Sequence, residues 1–512
     1  MTKNYYITTP IYYPSAKPHM GHAYSSIVVD FFARFKKIEG YKVFFLTGTD
    51  EHGLKIQRAA EKNKKEPLEF CDEISKTFKE LSKTLNLSNN DFIRTTEKRH
   101  HKSVQNLWNV LEKKGEIYLS KYSGWYSVSD EAFYLDNEIE TREGIKVAKS
   151  SGSVVEWLEE ESYFFKLSNW QNKLLELYEK NPKFILPKSR KNEVVSFVKS
   201  GLKDLSVSRK SFSWGIQVPS NKEHVIYVWL DALTNYLSAL NYPDTDNDMY
   251  KNFWPADVHM IGKDILRFHA VYWPAFLLAA DLPAPKRVYG HGWILSGEEK
   301  MSKSKGNILD PIEIINEYGL DSLRYYLLKE VSFGNDGNIS KDKLISCINS
   351  DLANNFGNLC QRVLTFTAKN LGLEVPEKDS LTNDDLVILN SFSENYKNLI
   401  DFINDQNINS YMNFIVDQMF IANKYFNDQE PWKKKDDVKR LKTIIYTSLE
   451  LIRKISTLLY PVIPQSSLKA LSIFKIKEDE IDIETIKNNS FLKPGLAINK
   501  IDILFNKIIT ND

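Results

Sequence analysis

The sequence predicts a doubly wound α/β domain whose parallel sheet is split by a small connective insertion, followed by an all-helical domain. Three observations carry this expectation. Apolar β-rich runs alternate with amphipathic helical stretches in 1–117 and again in 223–296. Between them, in 118–222, the alternation gives way to short aromatic strands, acidic turns and Gly/Ser punctuation. From about Lys341 the pattern is almost wholly helical, with no further βα unit.

Tyr5–Thr8 reads as the first strand, and a Pro-broken loop runs from it to Pro18. A helical pattern follows from His22 to Lys37. Lys42–Thr47 is a second apolar β run and ends in Gly48-Thr49-Asp50-Glu51-His52-Gly53, after which amphipathic helices extend to Lys114. The insertion contains the punctuation Ser150-Ser151-Gly152-Ser153. Beyond it, strands are expected at His224–Leu230, Asp257–Ile261 and Arg287–Leu295. The segment 297–345 is expected to be a loop and linking region, and 346–512 the helical domain.

Composition narrows the class of protein. The 512 residues are 42% hydrophobic and 26% charged with a net charge of +1, as expected of a globular chain lacking a global basic field. Cys71, Cys347 and Cys360 are too scattered for a disulfide framework, and buried thiols in a reducing cytoplasm are expected. The apolar run 270–280 is too short to span a bilayer, so no membrane association is expected.

Two short runs carry chemistry. Pro18-His19-Met20-Gly21-His22 falls where the first strand gives way to a helix, a ready-made anion site. His19 and His22 are three apart and can face one phosphate, while Gly21 permits close approach to the backbone. Lys300-Met301-Ser302-Lys303-Ser304, in a Ser/Gly-rich loop after the last strand, offers two flexible point charges to a polyphosphate. Alone, each has a plainer reading, as histidines at a helix start or a solvated basic loop.

Together, in this order and about 280 residues apart, the two runs resemble the paired signatures of class I aminoacyl-tRNA synthetases. The resemblance implies a Rossmann-type catalytic domain and activation of an amino acid by ATP, with the acyl group then passed to tRNA. His19, His22, Lys300 and Lys303 are the implied catalytic groups. ATP is implied to contact His19, Gly21, His22, Gly262, Asp264 and Lys303, and Mg²⁺ is expected to arrive with it.

Longer runs resemble the methionyl branch of that family: Ile11-Tyr12-Tyr13, residues 47–53, Tyr227-Val228-Trp229-Leu230-Asp231-Ala232, Ile261-Gly262-Lys263-Asp264-Ile265, Phe268-His269 with Pro274, the lysine run 300–304 and Asp321-Ser322-Leu323-Arg324-Tyr325-Tyr326. The resemblance implies a methionine pocket built from Ile11, Tyr13, Trp229, Tyr236, Ile265 and His269, with Asp50 on the substrate ammonium. An aromatic wall suits an unbranched, polarisable thioether. Tyr13 and His269 are expected to offer it polar contacts, and the pocket to lie at the carboxyl ends of the strands.

The family often carries a zinc knuckle of cysteines in the insertion. Here Ser127 and Asp130 stand where a Cys-x-x-Cys pair would fall, so no structural zinc and no other metal centre is expected. In the helical domain the resemblance implies that Asn358, Arg362 and Trp432 read the anticodon of a methionine tRNA. Lys433, Lys434 and Lys435 add charge beside the aromatic ring. Residues 297–345 are expected to carry the lysine loop and contact the acceptor stem. No β-rich module follows the helical region, from which a monomer is expected. The insertion is too short for the editing domain of the isoleucine, valine and leucine enzymes.

Overall fold

The computed structural model describes residues 3–130, 132–296, 299–300 and 309–509. They form two compact units, one of Asn4–Pro18 with Val43–His291, the other of His19–Lys42 with Gly292 onward.

The first unit is organised by a six-stranded parallel sheet. Its strand order is Asp91–Arg94, Lys42–Thr49, Asn4–Thr8, Val258–Gly262, Val288–His291, Ile185–Leu186. Tyr6, Ile7, Phe45, Leu46, Met260 and Ile261 are buried, as the interior of a sheet covered on both faces requires. The chain reverses direction beside Asn4–Thr8, the switch point at which doubly wound sheets bind ligands. The insertion is antiparallel: Ile117–Ser127 pairs with Glu156–Phe165 over ten residues, flanked by Ala132–Tyr134 and Leu205–Ser206.

Four expectations are corrected. His224–Leu230 is not one strand of the parallel sheet. Its first half belongs to Asn221–Ile226, in a three-stranded antiparallel sheet, and Val228–Leu233 is helical. A continuous apolar run fits strand or buried helix alike, so periodicity could not separate them. Arg287–Leu295 is broken after His291, where Gly292 lies against the Asn335 and Asp336 backbone so closely that a Cβ would sit 2.1 Å from the Asn335 carbonyl. Asp91–Arg94 is an edge strand inside a stretch read as helical. Ile185–Leu186, too short to show any alternation, closes the other edge.

The second unit contains the helix Met20–Ile38 and a helical array running from Pro311–Tyr318 to Pro464–Ser472. Val438–Leu459 is buried from Thr443 onward on every side, which makes it the central helix. Several of its polar side chains are bonded within the helix: Ser448 and Ser456 donate to carbonyls one turn back, and Arg453 pairs with Glu450 at 2.8 Å. In the same unit Asp30 Oδ2 accepts from Arg34 Nε and Arg324 Nη2, both at 2.7 Å. This tie joins the Met20–Ile38 helix to Leu320–Glu330. No helix among the described residues is long and apolar enough to cross a membrane.

Candidate active site

His19 and His22 cap the helix Met20–Ile38 reciprocally. His19 Nδ1 accepts the Gly21 amide and His22 Nδ1 accepts the His19 amide, both at 3.1 Å, with the rings 3.9 Å apart. A nitrogen that accepts carries no proton, so each neutral ring holds its proton on Nε2, the donor a phosphate oxygen requires. Burial, with a smaller push from His19, holds His22 well below its ordinary pKa. Gly21 serves this pair directly, because a Cβ there would stand 2.9 Å from the His19 ring.

Lys303 lies outside the described residues. Lys300 is placed by its backbone, in a two-residue strand whose partner is Leu295 in Ile294–Ser296.

In the sheet-bearing unit, residues 9–13 continue alongside the second strand. The Tyr12 amide donates to the Gly48 carbonyl and the Asp50 amide to the Tyr12 carbonyl, both at 2.9 Å, which sets Ile11 and Tyr13 next to Asp50. Asp50 is buried and does not cap the following helix, which starts after Gly53. Glu51, fully buried, anchors the loop: its carboxylate accepts from Arg94 Nε at 2.7 Å, Thr96 at 2.6 Å and Thr49 at 2.6 Å.

Trp229, Tyr236, Ile265 and His269 form one connected group, but only Ile265 and His269 follow a strand of the parallel sheet, on the helical turns after Val258–Gly262. Trp229 and Tyr236 lie on the short helices Val228–Leu233 and Asn235–Ser238, which corrects the strand-end placement. The Trp229 ring stacks on Phe268 at 3.4 Å and 11°. A π-helical turn, Phe268–Tyr272, carries His269, an irregularity that often marks functional positions. His269 Nδ1 is 3.0 Å from the Ile265 carbonyl and must donate to it, which leaves Nε2 to accept from the Tyr236 hydroxyl at 2.8 Å. Burial brings His269 down to about 4, so the ring is neutral. With both nitrogens engaged, His269 orients Tyr236 rather than presenting a free donor. Below them His259 stacks on Tyr236 at 4.0 Å; it accepts from Trp273 and so donates to Thr8 at 2.9 Å. Gly262 ends its strand with the Asp264 carboxylate folded over it, where a Cβ would meet Oδ1 at 2.6 Å. A cavity of about 420 Å³ is lined by Trp229, Phe268, Tyr272, Tyr227, Trp125 and Trp157 among others.

In the helical unit, Asn358 is exposed at the start of Asn358–Asn370, and Arg362 lies one turn on. Arg362 Nη2 donates to Asn427 Oδ1 at 2.6 Å, and its guanidinium covers Phe426 at 5.2 Å. Phe426 meets Trp432 edge-on at 6.2 Å. Trp432 is 41% exposed, so it is a surface ring rather than a core one.

The model for class I tRNA synthetases of the methionine type matches residues 5–364, and that for the anticodon-binding domain of methionyl-tRNA ligase matches 375–512. The chain belongs to the methionyl-tRNA synthetases. Methionine–tRNA ligases of Brucella suis and Rickettsia conorii are 49% and 48% identical to it, over 93% of both chains and over 99% of this chain and 100% of that one. The methionyl-tRNA synthetase of Mycobacterium tuberculosis in complex with methionyl-adenylate superimposes with a TM-score of 0.96 at 43% identity, covering 98% of this chain and 100% of that one.

Several residues that shape these sites escaped sequence reasoning. His52 and Asp231 stand inside runs that were singled out, but their contact joins positions far apart in sequence. Thr8 and His259 lie in runs that read only as strands and His100 in one that reads as helix, so none of them carries a functional signal. At the zinc-knuckle position Asp130 gathers hydroxyls instead. Tyr134 donates to Oδ2 at 2.7 Å, Ser153 to Oδ1 at 2.7 Å and Ser151 to Oδ2, while the Asp130 amide donates to Ser127 Oγ. Among the described residues no group of three or more His, Cys, Asp or Glu is placed to hold a metal ion.

Proposed function

We infer that this enzyme is a methionine–tRNA ligase. The methionine carboxylate attacks the α-phosphorus of ATP, pyrophosphate leaves and methionyl-adenylate forms. A ribose hydroxyl at the 3′ end of methionine tRNA, initiator or elongator, then attacks the acyl carbon and AMP leaves.

The residue assignments are our proposal. Asp50 holds the ammonium by a charge-assisted bond, while Ile11, Tyr13, Trp229, Tyr236, Ile265 and His269 enclose the side chain. His19 and His22 donate through Nε2 to the triphosphate, and Lys300 and Lys303 neutralise charge as pyrophosphate departs. Gly21 and Gly262 let the nucleotide approach the backbone, and Asp264 accepts from its ribose. No group forms a covalent bond to substrate, so orientation and charge stabilisation supply the rate. Mg²⁺ enters on the ATP. Asn358, Arg362 and Trp432 receive the unpaired anticodon bases by hydrogen bonding and stacking, and 297–345 meets the acceptor stem. The enzyme works as a cytoplasmic monomer without structural zinc.

The observation that carries this reading is the reciprocal histidine cap, in a chain of this family whose helical unit also presents an exposed tryptophan against a phenylalanine covered by an arginine. Pyrophosphate exchange tried with each amino acid, with and without tRNA, tests it. Exchange with methionine alone is expected, and exchange with another amino acid or with none overturns it.

A further inference from the structure

Asp231 has no role in the assignments above, yet it is 1% exposed and doubly bonded. It lies two residues beyond Trp229 on the helix Val228–Leu233. Its Oδ2 is 2.7 Å from His52 Nδ1 and its Oδ1 is 2.7 Å from His100 Nε2, both rings being buried. His52 is two residues past Asp50 in the loop that ends the second strand. His100 stands on the helix Lys98–Lys113, and its Nδ1 is 3.0 Å from Ser238 Oγ, two residues past Tyr236. Burial alone would raise the Asp231 carboxyl, but the two histidines outweigh it and hold it well below the usual range.

One carboxylate thus ties together the segments that carry Asp50, Trp229 and Tyr236. We propose that Asp231 is a positioning residue for amino-acid selection, fixing the span between the Asp50 carboxylate and the Trp229 ring through His52 and His100. The proposal rests on reading those two residues as opposite ends of the methionine site. An amino acid gripped at its ammonium and at its side-chain tip is judged by length. A pocket discriminates a single methylene by only about 10- to 200-fold, and only while its walls stay in place. A carboxylate accepting from two buried rings gives such rigidity, because moving either segment would strand a buried polar group.

Asp231→Asn, which cannot accept symmetrically on both sides, is expected to raise the methionine KM in pyrophosphate exchange about tenfold. The ATP KM should change less than twofold, and the ethionine-to-methionine ratio of kcat/KM should rise several-fold. His52→Asn should do the same, and the double variant should be no worse than the poorer single one. Asp50→Asn tests the underlying reading separately. If it leaves the methionine KM unchanged, that reading fails and the proposal with it. If Asp50→Asn is impaired while Asp231→Asn and His52→Asn keep the wild-type ratio, only the positioning role is overturned. Parallel rises in both KM values, a mark of general loosening, overturn it as well.

Discussion

The Tyr236 hydroxyl and His269 Nε2 stand 2.8 Å apart, and the direction of the bond is set by the far side of the ring. His269 Nδ1 is committed to the Ile265 carbonyl and the imidazole is neutral, so Tyr236 donates. With its face on His259, the phenol has one orientation at the proposed methionine site.

His269→Leu keeps bulk but removes the acceptor. Leaving a buried hydroxyl unpaired costs about 1–3 kcal/mol, or about 5- to 150-fold. The methionine KM in pyrophosphate exchange is expected to rise by that factor, with the ATP KM nearly unchanged. Because burial brings His269 down to about 4, it stays unprotonated as pH falls from 8 to 5. The wild-type methionine KM should therefore show no His269-dependent inflection in that window, and an inflection that His269→Leu abolishes would contradict this tautomer.

The paired histidines do two jobs that one substitution can separate. In His19→Asn the side-chain oxygen can still accept the Gly21 amide and keep the cap, but the Nε2 donor is gone. Thermal stability should stay close to wild type while the exchange kcat falls about 10²- to 10³-fold, the usual loss for a donor to developing charge. His19→Ala should lose comparable activity and about 1 kcal/mol of stability besides. A melting temperature lowered equally by both variants would show that the cap rests on the ring itself.

These histidines are legible because their chemistry is local: two rings three positions apart at the helix start define the cap, and Gly21 between them completes it. The β-rich runs Tyr5–Thr8 and Lys42–Thr47 likewise reveal the middle of the sheet. Its edges stayed hidden for a physical reason. Asp91-Phe92-Ile93-Arg94 is only four residues, two adjacent apolar ones with a charge at each end, as blunted edge strands are, and like Ile185–Leu186 it shows no period. Trp229 reads as part of a strand because Val225 to Leu230 is uniformly apolar, a pattern that fits the buried helix Val228–Leu233 equally well. The Asp231 contacts bridge 179 and 131 positions, a separation no local pattern encodes.

Asp130 is expected to hold the insertion together where metal would otherwise do so. It accepts from three hydroxyls and, with burial leading, pushes the Tyr134 phenol up to about 12. Asp130→Ala should speed amide hydrogen exchange through 127–153 and cost about 1–3 kcal/mol locally, with exchange in the helical domain unchanged. A chelator should leave the wild-type melting curve where it is. A shift on chelation, or one zinc per chain by metal analysis, would overturn the expectation of a zinc-free insertion.

Arg362, Phe426 and Trp432 form a ladder whose outer ring is exposed. Trp432→Ala should lower aminoacylation kcat/KM for tRNA by about 5- to 150-fold, as loss of about 1–3 kcal/mol of stacking on one base implies. Methionine-dependent pyrophosphate exchange without tRNA should stay near wild type. Phe426→Leu, which takes away the support of both neighbours, should reproduce a weaker form of the same split. Equal loss of the two activities in Trp432→Ala would remove this ring from tRNA recognition.

Lys454 gives the helical unit a stability that rises with pH. Its Nζ is buried, donating to the Ile486 carbonyl and to Asn489 Oδ1 at 2.7 Å, and burial with the nearby Arg453 lowers its pKa from 10.5 to about 7. The unfolded chain keeps Lys454 charged up to its ordinary pKa, so between about 7 and 10.5 the unfolded state binds the extra proton. Stability must therefore rise as pH climbs through that window, by up to a few kcal/mol. Below about 7 both states are protonated and the contribution is flat. Lys454→Met removes this group and no other, so the difference between wild-type and variant unfolding free energies, measured by denaturant titration from pH 6.5 to 9.5, isolates it. The wild type should gain on the variant steadily across that range. Parallel curves would mean that the carbonyls around Nζ hold the ammonium at its ordinary pKa despite its burial.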